Sequence, residues 1–321
     1  MAETGENEAR DLGEDFTQSL VREKETRART IKPMPMSGLS QIGIRARKVA
    51  EGLLSGQHQS NQFGQNIEFS DYREYVPGDD LRHIDWRAYG RTDRLYIKRF
   101  EAETAMRAVI VMDVSRSMLY GEGPQQKIQY GADLAAAIAT LIILQKDSAG
   151  LALYDEELRY WLAPSGTPEQ LRHIYNALET CRPNNKTLTG PTLEFIAARM
   201  SRRGFLILIS DFWDKAEETL SGLSHFAGRG FEVLVFHLLT REEVEFPFLG
   251  SMEIEGLEEK EPLETEGRSI REAYRTRLAD HQEQLRSGCA KLAIDYTQII
   301  TDQPVDLALR QVLAQRRRTS G

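Results

Sequence analysis

The stretch that decides the fold is Ala108-Val109-Ile110-Val111-Met112-Asp113-Val114-Ser115-Arg116-Ser117. Its first five residues form an apolar run with the length and composition of a buried parallel strand. A carboxylate, Asp113, follows the strand at once, and two hydroxyls, Ser115 and Ser117, come after it with one residue between them. In an open α/β sheet, ligands bind beyond the carboxyl ends of the strands. We therefore expect these three side chains to meet at a ligand-binding edge of a sheet.

From residue 106 onward, apolar strands alternate with amphipathic or apolar helices. Helices are predicted over 127–146, 168–181, 191–203, 215–227, 268–287 and 306–317. Strands are predicted over 205–209, 231–239 and 292–299, with a hairpin over 150–154 and 158–162 and an acidic edge hairpin within 242–266. This alternation predicts an α/β fold with a doubly wound, mostly parallel sheet flanked by helices.

The residues before 105 have a different composition. Residues 1–35 are polar and predict a disordered tail, residues 39–54 have helical spacing, and residues 95–100 alternate like a strand. We divide the chain into a tail (1–35), an N-terminal helix with a small β-rich subdomain (36–104), an α/β domain (105–315) and a basic tail (316–321).

Two later segments carry candidates that would complete a site around Asp113. Thr187 precedes a predicted helix, and Asp211 directly follows the apolar strand 205–209. Carboxylate and hydroxyl oxygens suit a small hard cation, Mg²⁺ or alternatively Mn²⁺. The Asp-x-Ser-x-Ser spacing resembles the metal-ion-dependent adhesion site of von Willebrand factor A domains. We expect the metal ligands to be Asp113, Ser115, Ser117, Thr187 and Asp211, with Thr189 and Thr192 as alternatives to Thr187.

Bulk properties exclude several classes of function and location. The chain has 41 Lys and Arg against 49 Asp and Glu, a net charge of -8, which argues against nonspecific nucleic-acid binding. It contains no Gly-x-x-x-x-Gly-Lys-Ser/Thr phosphate loop, so any ATP-driven work would come from a partner. The N-terminus is acidic rather than basic and apolar, and no apolar stretch approaches the length of a membrane span. These features predict a cytoplasmic protein.

A second distinctive block carries a family resemblance. It reads Tyr75-Val76-Pro77-Gly78-Asp79-Asp80-Leu81-Arg82-His83-Ile84-Asp85-Trp86. Together with the motif at Asp113 and with Ser210-Asp211-Phe212, this block makes the chain resemble the bacterial family called domain of unknown function 58, over about residues 40–315.

The resemblance implies a von Willebrand A-like fold and a non-enzymatic, protein-binding role. It also implies association with a MoxR-type AAA+ ATPase, as an adaptor in chaperone-like maturation or remodelling of other proteins. Other von Willebrand A-domain proteins and client proteins are further candidate partners. Many relatives have N-terminal transmembrane helices, from which this chain departs.

The block itself has two interpretations. Its Arg-Asp pairs and aromatic rings are typical of ion pairs and stacking that hold an exposed loop to a domain. Alternatively, it forms a partner surface, because Trp and Arg are common interface anchors. The candidate contacts are Arg82, Asp85, Trp86 and Arg91.

Three hypotheses of function remain. The first is a protein-binding module that uses Mg²⁺ to dock an acidic side chain of a partner. The second is a metal-dependent hydrolase of phosphoesters or peptides, which would need a general base beside the metal, whereas the three site loops contain no His or Glu. The third is a scaffold with a vestigial metal site, whose partner binding would be indifferent to chelators.

Overall fold

A six-stranded sheet forms the centre of the protein. The structure is a computed structural model and describes residues 40–59, 69–74, 96–100, 106–183, 186–200, 204–254 and 263–319. The strands in these ranges are β1 (Phe69–Glu74), β2 (Tyr96–Phe100), β3 (Arg107–Asp113), β4 (Ser148–Tyr154), β5 (Leu158–Ser165), β6 (Phe205–Ser210), β7 (Glu232–Leu239), β8 (Ser251–Ile254), β9 (Leu263–Glu266) and β10 (Asp295–Ile300). The α-helices there are α1 (Gln41–Gln59), α2 (Lys127–Leu144), α3 (Pro168–Thr180), α4 (Thr189–Arg199), α5 (Ala216–Ala227), α6 (Arg241–Glu245), α7 (Gly267–Lys291) and α8 (Val305–Thr319).

The strand order in the central sheet is β10-β7-β6-β3-β4-β5. Every neighbouring pair is parallel except β4 and β5, which form the predicted hairpin. The chain leaves β3 toward β4 on one side and later returns to β6 on the other side. The carboxyl ends of β3 and β6 therefore adjoin at a topological switch point, where ligands bind in open α/β sheets. The predicted fold class is confirmed.

Helices cover both faces of this sheet. On one face, side chains of α4, α5 and α7 pack against every second residue of the strands, such as Val109, Val111 and Leu208. On the other face lies α2, where Gly131 approaches the side chains of Met112 and Leu238. Among the described residues, α2 is also the one helix long and apolar enough to cross a membrane, and 78% of its 18-residue window is buried inside the protein.

Helix α1 confirms the predicted helix and packs against α2. Its buried face consists of Ile42, Ala46, Ala50 and Leu53, each no more than 3% exposed. On its exposed side, an Arg45 side chain pairs with Asp133 of α2 at 2.6 Å. Although α1 precedes the boundary at residue 105 that the sequence suggests, it covers a helix of the α/β domain.

Two further pairs of strands are not part of the central sheet. Strands β1 and β2 pair antiparallel and form one two-stranded sheet. Strands β8 and β9 form the predicted acidic hairpin, but it is a separate two-stranded sheet and does not extend an edge of the central one.

Helices α4 and α5 approach each other closely at two glycines. A Cβ atom on Gly190 would lie 2.4 Å from the carbonyl oxygen of Glu218, and one on Gly222 would lie 2.7 Å from the carbonyl oxygen of Gly190. Only glycine fits such a backbone approach. This crossing fixes the start of α4, and with it the segment that carries Thr187.

Candidate functional site

Asp113 is the last residue of β3 and is fully buried. Its Oδ1 accepts a hydrogen bond from the backbone N–H of Ser115 at 2.8 Å, which forms a tight turn directly after the strand. Its Oδ2 accepts a hydrogen bond from the hydroxyl of Ser210, the last residue of β6, at 2.6 Å. The carboxylate is therefore held at the adjoining ends of the two central strands.

The two serines of the motif link Asp113 to the second carboxylate. The hydroxyls of Ser115 and Ser117 lie 2.9 Å apart, and the hydroxyl of Ser117 donates to Oδ1 of Asp211 at 3.1 Å. All four side chains are buried. The structure thus brings together four of the five predicted metal ligands in one continuous chain of hydrogen bonds.

Lys127, which was not among the predicted site residues, extends this network. It is the first residue of α2 and is fully buried. Its Nζ donates to Oδ2 of Asp211 at 2.6 Å and to Oε1 of Glu243 at 2.7 Å. Lys127 could have been found as a charged residue at the start of a very apolar helix. A lysine that is buried with such a helix needs a partner of opposite charge.

Glu243 is fixed by a capping box at the start of α6. The Thr240 hydroxyl accepts from the Glu243 backbone N–H at 3.2 Å, and Glu243 Oε2 accepts from the Thr240 backbone N–H at 2.7 Å. Its Oε1 also accepts from the indole N–H of Trp213 at 3.2 Å. The signal for Glu243 was the spacing Thr240-x-x-Glu243, which is typical of a capping box.

The two buried carboxylates of the site, Asp113 and Asp211, differ in whether a positively charged side chain accompanies them. Burial, followed by the nearby charge of Asp211, raises the pKa of Asp113 to about 8. For Lys127, burial alone would lower the pKa, but the charges of Asp211 and Glu243 outweigh it and the pKa is raised. Among the residues that the structure describes, no basic side chain forms an ion pair with Asp113. Asp211 has a protein-supplied cation, whereas Asp113 has only hydrogen-bond donors.

Thr187 lies at the same edge of the sheet, in the segment directly before α4, and is buried. The neighbouring Leu188 backbone N–H donates to the carbonyl of Asp155 at 3.1 Å. The residue before Asp155, Tyr154, accepts at its carbonyl from the Val114 N–H at 2.7 Å. The Thr187 segment and the Asp113 loop are thus both attached to the end of β4.

The two alternatives to Thr187 are also buried. The hydroxyl of Thr189 lies 3.2 Å from the phenol oxygen of Tyr154. The backbone N–H of Thr189 donates to Asp214 at 2.9 Å, and the other oxygen of Asp214 accepts from Thr219 at 2.9 Å. Asp214 therefore joins the first turns of α4 and α5, while Thr192 lies one turn inside α4.

The residue after Asp211 has an unusual backbone conformation. Phe212 has a φ of 52°, which places it in the left-handed region. Its N–H donates to the Ser210 hydroxyl at 2.9 Å, and its carbonyl accepts from His281 Nε2 at 2.7 Å. The buried ring meets His237 edge to face at a centroid distance of 5.3 Å. These contacts hold a strained turn that aims Asp211 back toward Ser117.

The oxygen donors present fit a small hard divalent cation. Within the described ranges, no three His, Cys, Asp or Glu side chains converge as a metal site, so the donors would be two carboxylates and several hydroxyls. Hydroxyl and carboxylate oxygens with remaining water ligands suit Mg²⁺ rather than a softer metal. The other predicted contact residues, Arg82, Asp85, Trp86 and Arg91, lie outside the described residues.

The chain is similar to known proteins in sequence and in structure. Uncharacterized proteins of Mycobacterium bovis and Mycobacterium tuberculosis are 26% identical over 233 residues, which is 70% of this chain and 72% of theirs. The von Willebrand A domain of SpRpn10 is similar in structure at 11% identity, with a TM-score of 0.39, over 64% of this chain and 95% of that domain.

Two further solved structures bear on the location of the protein. An aerotolerance-related membrane protein from Bacteroides fragilis is 15% identical, with a TM-score of 0.47, over 67% of this chain and all of that chain. A membrane spanning protein from Vibrio fischeri is 16% identical, with a TM-score of 0.22, over 65% of this chain and 98% of that chain. These neighbours contradict the predicted cytoplasmic location, which is withdrawn. That prediction relied on the acidic N-terminus and on the lack of a long apolar stretch in the sequence.

The family model described as "Protein of unknown function DUF58" matches residues 71–284. The match includes the Asp113 motif, Lys127, the Thr187 segment, Asp211 and Glu243. Because it extends over more than half of the 321 residues, the chain belongs to the DUF58 family.

Proposed function

We propose that this protein is a non-enzymatic binding module that docks an acidic side chain of a partner through Mg²⁺ at the β3–β6 edge. The observation that carries the proposal is the chain of hydrogen bonds from Asp113 through Ser115 and Ser117 to Asp211. The carboxylate and hydroxyl oxygens of these residues would hold the cation. The cation would supply the positive charge that lets a carboxylate of the partner approach the two buried ones.

Asp113 supports the presence of a cation most directly. A fully buried carboxylate without an ion-pair partner among the described residues is costly, and a divalent cation offsets that cost. Mg²⁺ keeps several water ligands, so one position is open to an incoming carboxylate.

Exposed apolar side chains beside the site support a protein partner. Leu188 follows Thr187 and is 40% exposed, and Trp213 lies two residues after Asp211 and is 44% exposed. The hydrogen bond between Thr189 and Asp214 joins the segments that carry them. Tryptophan is a common interface anchor, and exposed apolar side chains that lie together mark protein contact surfaces. We propose a MoxR-type AAA+ ATPase as the partner, as the family resemblance implies.

The test is a pull-down with the MoxR-type ATPase of the same genome, in Mg²⁺ and in EDTA. We expect the wild-type chain to bind in Mg²⁺ only and the Asp113→Asn variant to bind in neither condition. Asp133→Asn is the matched control, because that carboxylate pairs with Arg45 on the surface of α2. Binding that survives both EDTA and Asp113→Asn would contradict metal-bridged docking, and phosphoester turnover lost in Asp113→Asn would contradict the non-enzymatic assignment.

A further inference from the structure

Lys127 sets a limit on how Asp211 can contribute to a cation site. Its ammonium group lies 2.6 Å from Oδ2 of Asp211, whereas Oδ1 of the same carboxylate accepts from Ser117 at 3.1 Å. One oxygen of Asp211 therefore faces the serine hydroxyls, and the other is engaged by a fixed positive charge. A dication on Oδ2 would lie next to the ammonium and be strongly repelled.

The ammonium group is held in place from several directions. Glu243 accepts from it at 2.7 Å, and the rings of Tyr120 and Trp213 lie 5.6 and 6.0 Å from it. Cation–π contacts at such distances add attraction to the two charge-assisted hydrogen bonds. The backbone N–H of Lys127 also donates to the carbonyl of Tyr120 at 3.1 Å. Contacts from Asp211, Glu243 and two aromatic rings thus surround the Lys127 ammonium group.

The two common hard cations use carboxylates differently. Ca²⁺ takes six to eight oxygens and often binds both oxygens of one carboxylate, whereas Mg²⁺ takes six at shorter distances and binds single oxygens and waters. The orientation of the Asp113 carboxylate is fixed by the Ser115 N–H at Oδ1 and the Ser210 hydroxyl at Oδ2. A site in which Asp211 offers a single oxygen meets the demand of Mg²⁺ better than that of Ca²⁺.

We infer that Lys127 is a specificity-determining residue, which prevents bidentate binding by Asp211 and so selects Mg²⁺ over Ca²⁺. This inference rests on the proposed cation site and adds to it the group that chooses the metal. Lys127 does not contact the cation in this arrangement but acts through Asp211.

A double variant separates the geometry of Lys127 from its charge. In wild type, one formal positive charge on Lys127 stands against two formal negative charges, one on Asp211 and one on Glu243. Lys127→Met combined with Glu243→Gln removes one charge of each sign, so the net charge is kept while Oδ2 of Asp211 is released. Glu243→Gln alone is the variant with which the double variant is compared. Gln also serves in a capping box, and Lys127 keeps its ion pair with Asp211 in that variant.

The experiment is calorimetric titration of the full chain with MgCl₂ and with CaCl₂. We expect wild type and Glu243→Gln to prefer Mg²⁺, and the double variant to raise the ratio of Ca²⁺ to Mg²⁺ affinity by about tenfold or more, since Ca²⁺ gains a ligand. Lys127→Arg retains a charged donor and should keep the wild-type ratio. Thermal unfolding without metal, measured in parallel, separates selectivity from stability.

The outcomes distinguish failure of the proposed metal site from failure of the inference about Lys127. If wild type binds neither cation, the proposed metal site is wrong and the inference fails with it. If wild type binds Mg²⁺ but the double variant keeps the wild-type ratio, Lys127 is structural and the inference alone is wrong. Wild type that binds Ca²⁺ as tightly as Mg²⁺ also overturns the inference, and this arm needs no variant to fold.

Discussion

At the scale of single residues, Asp113 combines complete burial with a neighbouring carboxylate. Its pKa is raised to about 8 by burial and then by Asp211, far above the ordinary value of 3.8. Between those two pH values, the unfolded chain releases a proton that the folded, metal-free protein keeps. The free energy of unfolding therefore falls as the pH rises through this window, by up to about 1.4 kcal/mol per pH unit.

The Asp113→Asn variant should remove that pH dependence. In EDTA at pH 7.5 we expect it to be more stable than wild type, with the difference disappearing toward pH 4, because only the wild-type carboxyl titrates there. Urea unfolding at several pH values measures the difference. In Mg²⁺ the order should reverse, since only wild type gains a bound cation. If the difference in the free energy of unfolding between wild type and Asp113→Asn is the same at every pH, this explanation is wrong.

Lys127 should be more important for stability than any surface lysine. Lys127→Met leaves Asp211 and Glu243 buried without a counter-ion, and losing one partner of a buried pair costs about 3–5 kcal/mol. Lys215→Met is the control, because Lys215 is exposed and pairs with Glu218 across one turn. Urea unfolding should also show that adding Glu243→Gln recovers part of the loss, which additive effects would not produce.

The positions of Asp113, Ser115, Ser117 and Asp211 could be predicted from the sequence because all lie at or just after the ends of apolar strands, and parallel strands bring their carboxyl ends to one edge. The roles of Lys127 and Glu243 could not be predicted in this way. These two residues are 116 positions apart, and no local pattern pairs the start of a helix with a capping box so far along the chain. Their contact depends on β6 and β7 being neighbours, which is information about the whole sheet.

At the scale of elements, the crossing of α4 and α5 positions the segment that carries Thr187. Gly190→Ala would place a Cβ atom 2.4 Å from a backbone oxygen of Glu218, so one helix must move. We expect a loss of about 1–3 kcal/mol in urea unfolding, together with weaker Mg²⁺ binding, because overpacking displaces the start of α4.

Gly228→Ala is the matched control for that prediction. Gly228 has a right-handed conformation at the end of α5, and the nearest atom to an added Cβ would be 3.4 Å away. Its stability should change by less than about 1 kcal/mol, and its Mg²⁺ affinity should not change. Equal effects of the two substitutions would show that the crossing does not position the site.

At the scale of the whole molecule, α1 is part of the same folded body as the central sheet, although it precedes the region that the family model matches. Ala50→Glu places a charge on its fully buried face and should destabilise the entire protein by about 3 kcal/mol or more. Lys48→Glu on the exposed face should change stability by less than about 0.5 kcal/mol. Tryptophan fluorescence, to which Trp86, Trp161 and Trp213 all contribute, should show a lower melting temperature for Ala50→Glu than for the wild-type chain. An unchanged melting temperature would mean that α1 unfolds independently.

The left-handed turn at Phe212 limits which amino acids position 212 can hold. Its backbone, with a φ of 52°, favours glycine or asparagine, whereas its buried pocket against His237 favours an aromatic ring. Because no natural residue satisfies both preferences, each replacement either keeps the backbone strain or loses packing in the pocket. In a library of all twenty residues at this position, glycine would relax the turn but leave a cavity, and tyrosine or leucine would fill the cavity but keep the strain. Position 212 should therefore tolerate fewer residues than its neighbour Trp213, whose side chain is 44% exposed.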